Sequence, residues 1–351
     1  MKIKQFRNRL GLESLLVKPV SKSSAIQRKG RAGREAAGHC YRLYTEQDYE
    51  ALQKDTTPEI LRCDLSDALL GMKARGINDV LNFPFLDPPP REAMEKALLQ
   101  LFQLNTLDDN GEISDIGLQM AKLPLAPPLG RAIIEASRKS QDCLLDVIDI
   151  IACLTVETIF LNLTTEEARE EAETSRRELF RRDGDHLTLL CAVRAYAAEH
   201  TDRKSWCERY FVSHRAMQNV MVSYTERVYI CILYSLHQDI RKQLFLQCKQ
   251  LRLLHESASL DSSELPSSEN RNEEILKCLL TGFSGNTARI MPDGSYKTLH
   301  GNQTVAIHPS SVLFGRKVEA ILFTEYVFTT KSYGRNVSVV RLSWIDEILS
   351  S

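Results

Sequence analysis

The chain divides according to the period of its apolar positions. Residues 11–20 form a short apolar run stopped by Pro19, the pattern of a strand, and Ser21 to Ser24 stand where they would cap a following helix. Residues 40–44, Cys-Tyr-Arg-Leu-Tyr, alternate like a second strand. Met94, Ala97, Leu98, Leu101 and Phe102 follow the i, i+3, i+4, i+7, i+8 spacing of a helical stripe, entered from Pro88-Pro89-Pro90. Residues 106–113 then read as a tight hairpin in which Asn110-Gly111 supplies the positive φ values of a primed turn. Helices followed by a small hairpin fit a winged-helix unit. Pro127-Pro128 open a helix with Leu129, Ala132, Ile133 and Ala136 on one face, and residues 143–154 are apolar nearly all round, which predicts a helix buried in a bundle. Residues 166–182 carry mixed charges and read as a solvated helix or loop without a chemical role. Helices are expected over 185–200 and from 205 into the 240s, and residues 256–272 turn polar and Ser-rich, as a linker does. Beyond them the period becomes two over 287–290, 295–299, 303–307, 321–330 and 336–341, with a Pro292-Asp293-Gly294 turn. Five short strands predict a small β-barrel such as an OB-fold.

Composition narrows the classes. A chain of 351 residues suits two or three domains rather than one. Its 45 Lys and Arg balance 46 Asp and Glu, so affinity for a polyanion must come from local clusters and not from net charge. Hydrophobic residues at 43% and charged residues at 26% exclude wholesale disorder and collagen-like architectures. No apolar run approaches the ~20 residues of a membrane span, and the basic start, Met1 to Arg7, lacks the apolar stretch of a secretory signal. Nine cysteines without paired spacing predict reduced thiols, and the chain reads as a soluble intracellular protein.

The densest chemistry lies in Gln27-Arg28-Lys29-Gly30-Arg31-Ala32-Gly33-Arg34. Two glycines three apart let the backbone turn tightly while several guanidinium groups point one way, an arrangement that suits a phosphate. Taken alone, such an octamer is more often a basic loop on RNA backbone or merely solvated. Asp183-Gly184-Asp185-His186 lacks a fourth ligand at metal spacing, so it reads as a helix start with Asp185 as cap and His186 packed nearby. Cys207 beside Trp206 has no His and Asn arrangement and reads as a buried thiol; His300 and His308 read as fixing turns. No metal site is expected.

The octamer matches motif VI of the DEAH-box (DEAH/RHA) RNA helicases, Gln-Arg-x-Gly-Arg-Ala-Gly-Arg, at every fixed position. The chain also resembles that family at Ser21-Lys22-Ser23-Ser24-Ala25, in residues 40–46, at Thr57-Pro58-Glu59-Ile60, at Asp87-Pro88-Pro89, in residues 183–190 and at Trp206-Cys207. Residues 300–311 and Thr329-Thr330-Lys331-Ser332-Tyr333 continue the likeness, which therefore spans almost the whole chain. The resemblance implies a multidomain α+β protein: the end of a second RecA-like α/β domain over 1–55, a winged helix over 56–122, a ratchet-like helical bundle over 123–255, a Ser-rich linker over 256–274 and a C-terminal OB-fold over 275–351. It implies that Gln27 positions water or the γ-phosphate, that Arg31 and Arg34 act as arginine fingers, and that Arg28, Gly30 and Gly33 bind the phosphates of ATP with its Mg²⁺. It places Lys331, Tyr333 and Arg335 on single-stranded RNA.

The departures matter as much. No Gly-x-x-x-x-Gly-Lys-Ser/Thr loop and no Asp-Glu-Ala-His box occurs, so nothing in these residues cradles the nucleotide phosphates or holds Mg²⁺. The expected whole is an ATP-dependent RNA helicase moving 3′ to 5′ in RNA processing, with a first RecA-like domain as the missing partner. Other expected partners are RNA and a protein activator on the winged helix or OB-fold, with no membrane. The family's habits favour the nucleus or nucleolus, with the cytoplasm the other compartment. The rival reading is a non-catalytic RNA- or protein-binding module without ATPase activity.

Overall fold

The computed structural model describes residues 2–7, 12–139, 141–156, 158–221, 240–254, 269–328 and 331–350. It separates into two compact units, Met1–Leu101 and Phe102–Ser351.

In the first unit, strands β1 (Lys2–Arg7) and β2 (Leu12–Val17) pair antiparallel, with Lys2 opposite Val17 and Arg7 opposite Leu12. Helix α1 (Lys22–Gly30) follows, and Ser21 caps it by accepting a hydrogen bond from Ser24 N at 3.1 Å, as the serine run predicts. The chain at 53–56 holds this start in place: Lys22 N and Ser23 N donate to the carbonyls of Gln53 and Lys54, and Thr56 Oγ1 lies 2.8 Å from Ser21 Oγ. Helix α2 (Glu46–Ala51) is closed by a reciprocal Thr45–Asp48 capping box, and α3 (Ser66–Lys73) and α4 (Arg91–Gln103) complete the series, the last crossing into the second unit. Residues 40–44 form no strand, against the expectation from their alternation; Tyr41 is 85% and Leu43 fully exposed. A strand needs a neighbour to satisfy its backbone, and among the described residues none pairs with this stretch. On α4 the buried residues are Ala93, Met94, Ala97 and Leu101, whereas Phe102, predicted on the same stripe, is exposed.

The second unit opens with the hairpin at 106–113, where Leu107 bridges Ile113. Gly111 alone takes a positive φ, 75°, so the turn is an ordinary one closed by Gly111 N donating to Asp108 O and not the primed turn predicted for Asn110-Gly111. Asp108 Oδ1 accepts from the amides of Asn110 and Glu112, which fixes the alternative geometry. Helices α5 (Asp115–Met120), α6 (Pro127–Lys139) and α7 (Gln141–Thr155) follow, with Ala132, Ile133 and Ala136 of α6 fully buried and Leu129 half-buried. Helix α8 (Glu166–Arg176) is mostly exposed, as its charges predict. The span from 185 onward holds α9 (Asp185–Ala198), α10 (Arg203–Arg209) and α11 (His214–Met221); Phe211 at φ 50° breaks the long helix expected from residue 205. Residues 222–239, with Cys231, fall outside the described residues. Helices α12 (Ile240–Gln250) and α13 (Glu269–Gly282) complete the bundle, so residues 269–274 of the predicted linker are helical.

The period-two region folds as predicted. Strands β3 (Thr287–Ile290), β4 (Tyr296–Thr298), β5 (Thr304–Ile307), β6 (Ala320–Phe328) and β7 (Ser332–Val340) close a barrel in the order β3-β4-β5-β7-β6, and α14 (Leu342–Ser350) follows. Gly294 at φ 81° makes the β3–β4 turn where Pro292-Asp293-Gly294 predicts it. Thr329 and Thr330, part of the family-like stretch, lie outside the described residues. Among the described residues no helix is long and apolar enough to cross a membrane, and every cysteine is a free thiol.

Candidate functional site

Gln27 to Gly30 form the last turn of α1 and Arg31–Gly33 a single 3-10 turn, with Arg34 behind it. All eight residues of the octamer are exposed. No carboxylate among the described residues pairs with Arg28, Arg31 or Arg34, so the guanidinium groups stay available to an incoming anion. Cations at a helix C-terminus also meet the negative end of its dipole, which eases their crowding. The glycines act differently from expectation. Gly30 sits at φ −59°, neither Gly30 nor Gly33 has positive φ, and a Cβ on either would meet nothing within 4 Å. The tight approach belongs instead to Gly38, where a Cβ would overlap the Ala32 carbonyl as the chain folds back over the octamer. That position had no sequence signal beyond being glycine.

The barrel brings a second group together. Tyr333 and Arg335 lie on β7, and Lys331, exposed, precedes that strand. Ala306 of β5 pairs with Tyr333, and the ring of His308, just beyond β5, meets Tyr333 edge-to-face at 5.6 Å. Arg335 stands opposite Glu325 of β6 and reaches its carboxylate at 3.4 Å, a half-exposed pair of small energetic weight. Burial first and the Arg335 charge second lower the His308 pKa, so the ring is neutral near pH 7. His308 also fixes a turn, as predicted, through Ser310 Oγ at 2.7 Å.

One group escaped the sequence and another was misread there. Asp146 and Asp149, on the helix that reads as apolar all round, are essentially fully buried and gather three arginines. Arg194 of α9 bonds Asp146 and approaches Asp149 at 3.7 Å; Arg241 of α12 bonds Asp149; Arg271 of α13 meets Asp146 at 2.7 Å. Burial pushes both carboxyls above the usual range, and the guanidinium groups pull them back. The second group is Asp183-Gly184-Asp185-His186. Against the expectation, Asp185 does not cap α9; its carboxylate accepts from Val312 N at 2.8 Å, in the β5–β6 connection, and from Val337 N at 2.7 Å, on β7. Gly184 at φ 123° runs so close to β7 that a Cβ would overlap the Val337 carbonyl. His186 is fully buried with Nδ1 2.7 Å from Ser338 Oγ and Nε2 unpartnered, and burial lowers its pKa to about 3. Cys207 is buried with its thiol pushed up to about 11, the inert state expected of it.

A winged-helix hairpin, a helical bundle and a closed five-stranded barrel in that order define a helicase-associated architecture. Family models agree: the winged-helix helicase associated domain (HA2) matches residues 97–125, the ratchet-like HA2 domain 126–189 and the oligonucleotide/oligosaccharide-binding (OB)-fold 275–351. The chain is 40% identical over its whole length to the probable ATP-dependent RNA helicase DHR2 of Saccharomyces cerevisiae, covering 46% of that protein. It is 35% identical to the pre-mRNA-splicing factor ATP-dependent RNA helicase DEAH10 of Arabidopsis thaliana, over 96% of the chain and 45% of the relative. The corresponding figures for prp22 of Schizosaccharomyces pombe, of the same description, are 36%, 98% and 27%. The chain spans less than half the length of each relative. These matches place it in the DEAH-box RNA helicase family, within that family's C-terminal region.

Proposed function

We propose that the chain is the C-terminal part of an ATP-dependent RNA helicase that couples ATP hydrolysis to 3′-to-5′ movement on RNA during RNA processing in the nucleus or nucleolus. The observation that carries the reading is the exposed row of Arg28, Arg31 and Arg34, without carboxylate partners among the described residues, at the end of a capped helix. On this reading residues 1–55 belong to a second RecA-like domain, and a first such domain faces the row. Guanidinium groups that pair with no carboxylate among the described residues fit a polyphosphate such as ATP, whose Mg²⁺ on this reading is held mainly by the first RecA-like domain. ATP supplies the transferable γ-phosphoryl group. Arg31 and Arg34 meet the charge that builds on it, Arg28 and the backbone at Gly30 and Gly33 hold phosphate oxygens, and Gln27 orients the attacking water. Lys331, Tyr333 and Arg335 hold single-stranded RNA, and a protein activator docks on the winged helix or the OB-fold.

The test compares phosphate release, with saturating RNA, by this chain alone and by a protein that joins it to a first RecA-like domain and the preceding part of the second. The joined protein turns over and the chain alone does not. Turnover by the chain alone, or none by the joined protein, overturns the reading; the second outcome with intact RNA binding favours the non-catalytic module.

A further inference from the structure

Asp185 opens α9, yet its hydrogen bonds leave the helix. One carboxylate oxygen accepts from Val312 N and the other from Val337 N, at 2.8 and 2.7 Å. Val312 lies in the connection between β5 and β6 that His308 begins, and Val337 lies on β7, the strand of Tyr333 and Arg335. One carboxylate therefore ties together the two backbone segments that carry the His308–Tyr333 ring pair, 5.6 Å between centroids. The approach is built for it. Gly184 bridges Ser338, Val339 N donates to Asp183 O at 2.8 Å, and Arg316 reaches the Arg182 carbonyl at 3.1 Å. Ser338 Oγ meets the buried His186 ring, so the seam runs over five consecutive residues, 182–186, at the helix start. Such a seam is more than packing, because charge-assisted bonds to backbone amides fix position in a way apolar contact does not.

We propose that Asp185 is a positioning residue for RNA on the barrel, setting the spacing of His308 and Tyr333 from the ratchet-like bundle. The inference rests on the reading of Tyr333 and Arg335 as RNA-facing. Asp185→Asn keeps the shape but turns an amide NH₂ toward one of the two backbone donors, leaving that donor unpaired. Binding of the chain to a labelled oligouridylate of roughly 12 nucleotides, within the reach of one such barrel, is measured for the native chain, Asp185→Asn, Tyr333→Ala and the double variant. Asp185→Asn weakens binding roughly tenfold, and in the Tyr333→Ala background it adds almost nothing, because its effect passes through that ring. Equal weakening in both backgrounds, or none in either, overturns the inference while the RNA face survives. No effect of Tyr333→Ala removes the RNA-facing reading and this inference with it. Amide exchange in the unmodified chain decides the matter if Asp185→Asn does not fold. RNA slows exchange at Val312 and Val337 as well as around Tyr333; protection confined to residues 331–335 overturns the proposal.

Discussion

Arginine plays opposite parts in the two units. Arg28, Arg31 and Arg34 stand in water without carboxylate partners among the described residues, whereas Arg194, 6% exposed, shares two buried aspartates with Arg241 and Arg271. In water three like charges repel weakly and cost the fold little, so the first set is held ready for a ligand. Out of water each charge must be matched, so the second set is locked to four helices and free for nothing else. Arg335, half-exposed and paired with Glu325, lies between these extremes.

The comparison breaks most sharply at the exposed set. In a helicase containing this chain, Arg31→Ala or Arg34→Ala lowers turnover by roughly 10³-fold or more while RNA affinity without nucleotide stays nearly unchanged. Lysine at either position does not rescue, lacking the guanidinium fork. Kept turnover with weakened RNA binding reassigns the row to the RNA backbone. At the buried set the loss is in folding: Asp149→Ala removes a buried carboxylate that Arg241 and Arg194 share and costs about 3–5 kcal/mol in a denaturant melt. Arg28→Ala shifts the same melt by less than about 0.5 kcal/mol. Equal shifts for the two would erase the distinction.

A third measurement uses acid. The unfolded chain protonates His186 near pH 6.5, but the folded chain does so only near pH 3. The folded state is thus favoured fully above pH 6.5 and loses about 1.4 kcal/mol per pH unit as pH falls toward 3. Asp146, Asp149 and Asp185, raised by burial, act in the opposite sense, so the term is isolated by comparison with His186→Asn, whose melt shows a flatter acid limb. Identical acid limbs would contradict the buried neutral ring. The smallest effect belongs to the intermediate case. Replacing Lys331 and Arg335 together with Ala reduces the log K against log salt slope for single-stranded RNA by about 1.4, at ~0.7 per phosphate contact. Tyr333→Ala costs ~1–3 kcal/mol of binding and leaves the slope alone if the ring stacks on a base.

What was legible in the sequence is what local spacing encodes. The helical stripe of α6 and the alternation of β3 to β7 each need only a few neighbouring residues, and both appear as read. The exposed arginines were visible for the same reason, all within eight positions. The buried partners were not, because Asp146 finds Arg194 48 residues away and Arg271 125 away, distances no period reports. Asp185 misled for a related reason. A carboxylate at a helix start is ordinarily a cap, and its true partners stand 127 and 152 residues downstream. Residues 40–44 show the converse error, a strand pattern without a neighbouring strand.

The closure of the barrel has a consequence for synthesis of the chain. Strand β7 bonds β6 on one side and β5, in parallel, on the other, so a ribosome must finish Val340 before the sheet has no open edge. Until then β5 and β6 present unpaired backbone to any neighbouring nascent chain, and Asp185, made about 150 residues earlier, waits for Val337. A premature stop codon only a few positions before Val337 would therefore leave two sheet edges open and a buried carboxylate short of one donor, and such a product is a substrate for chaperones and proteases rather than a shorter working barrel.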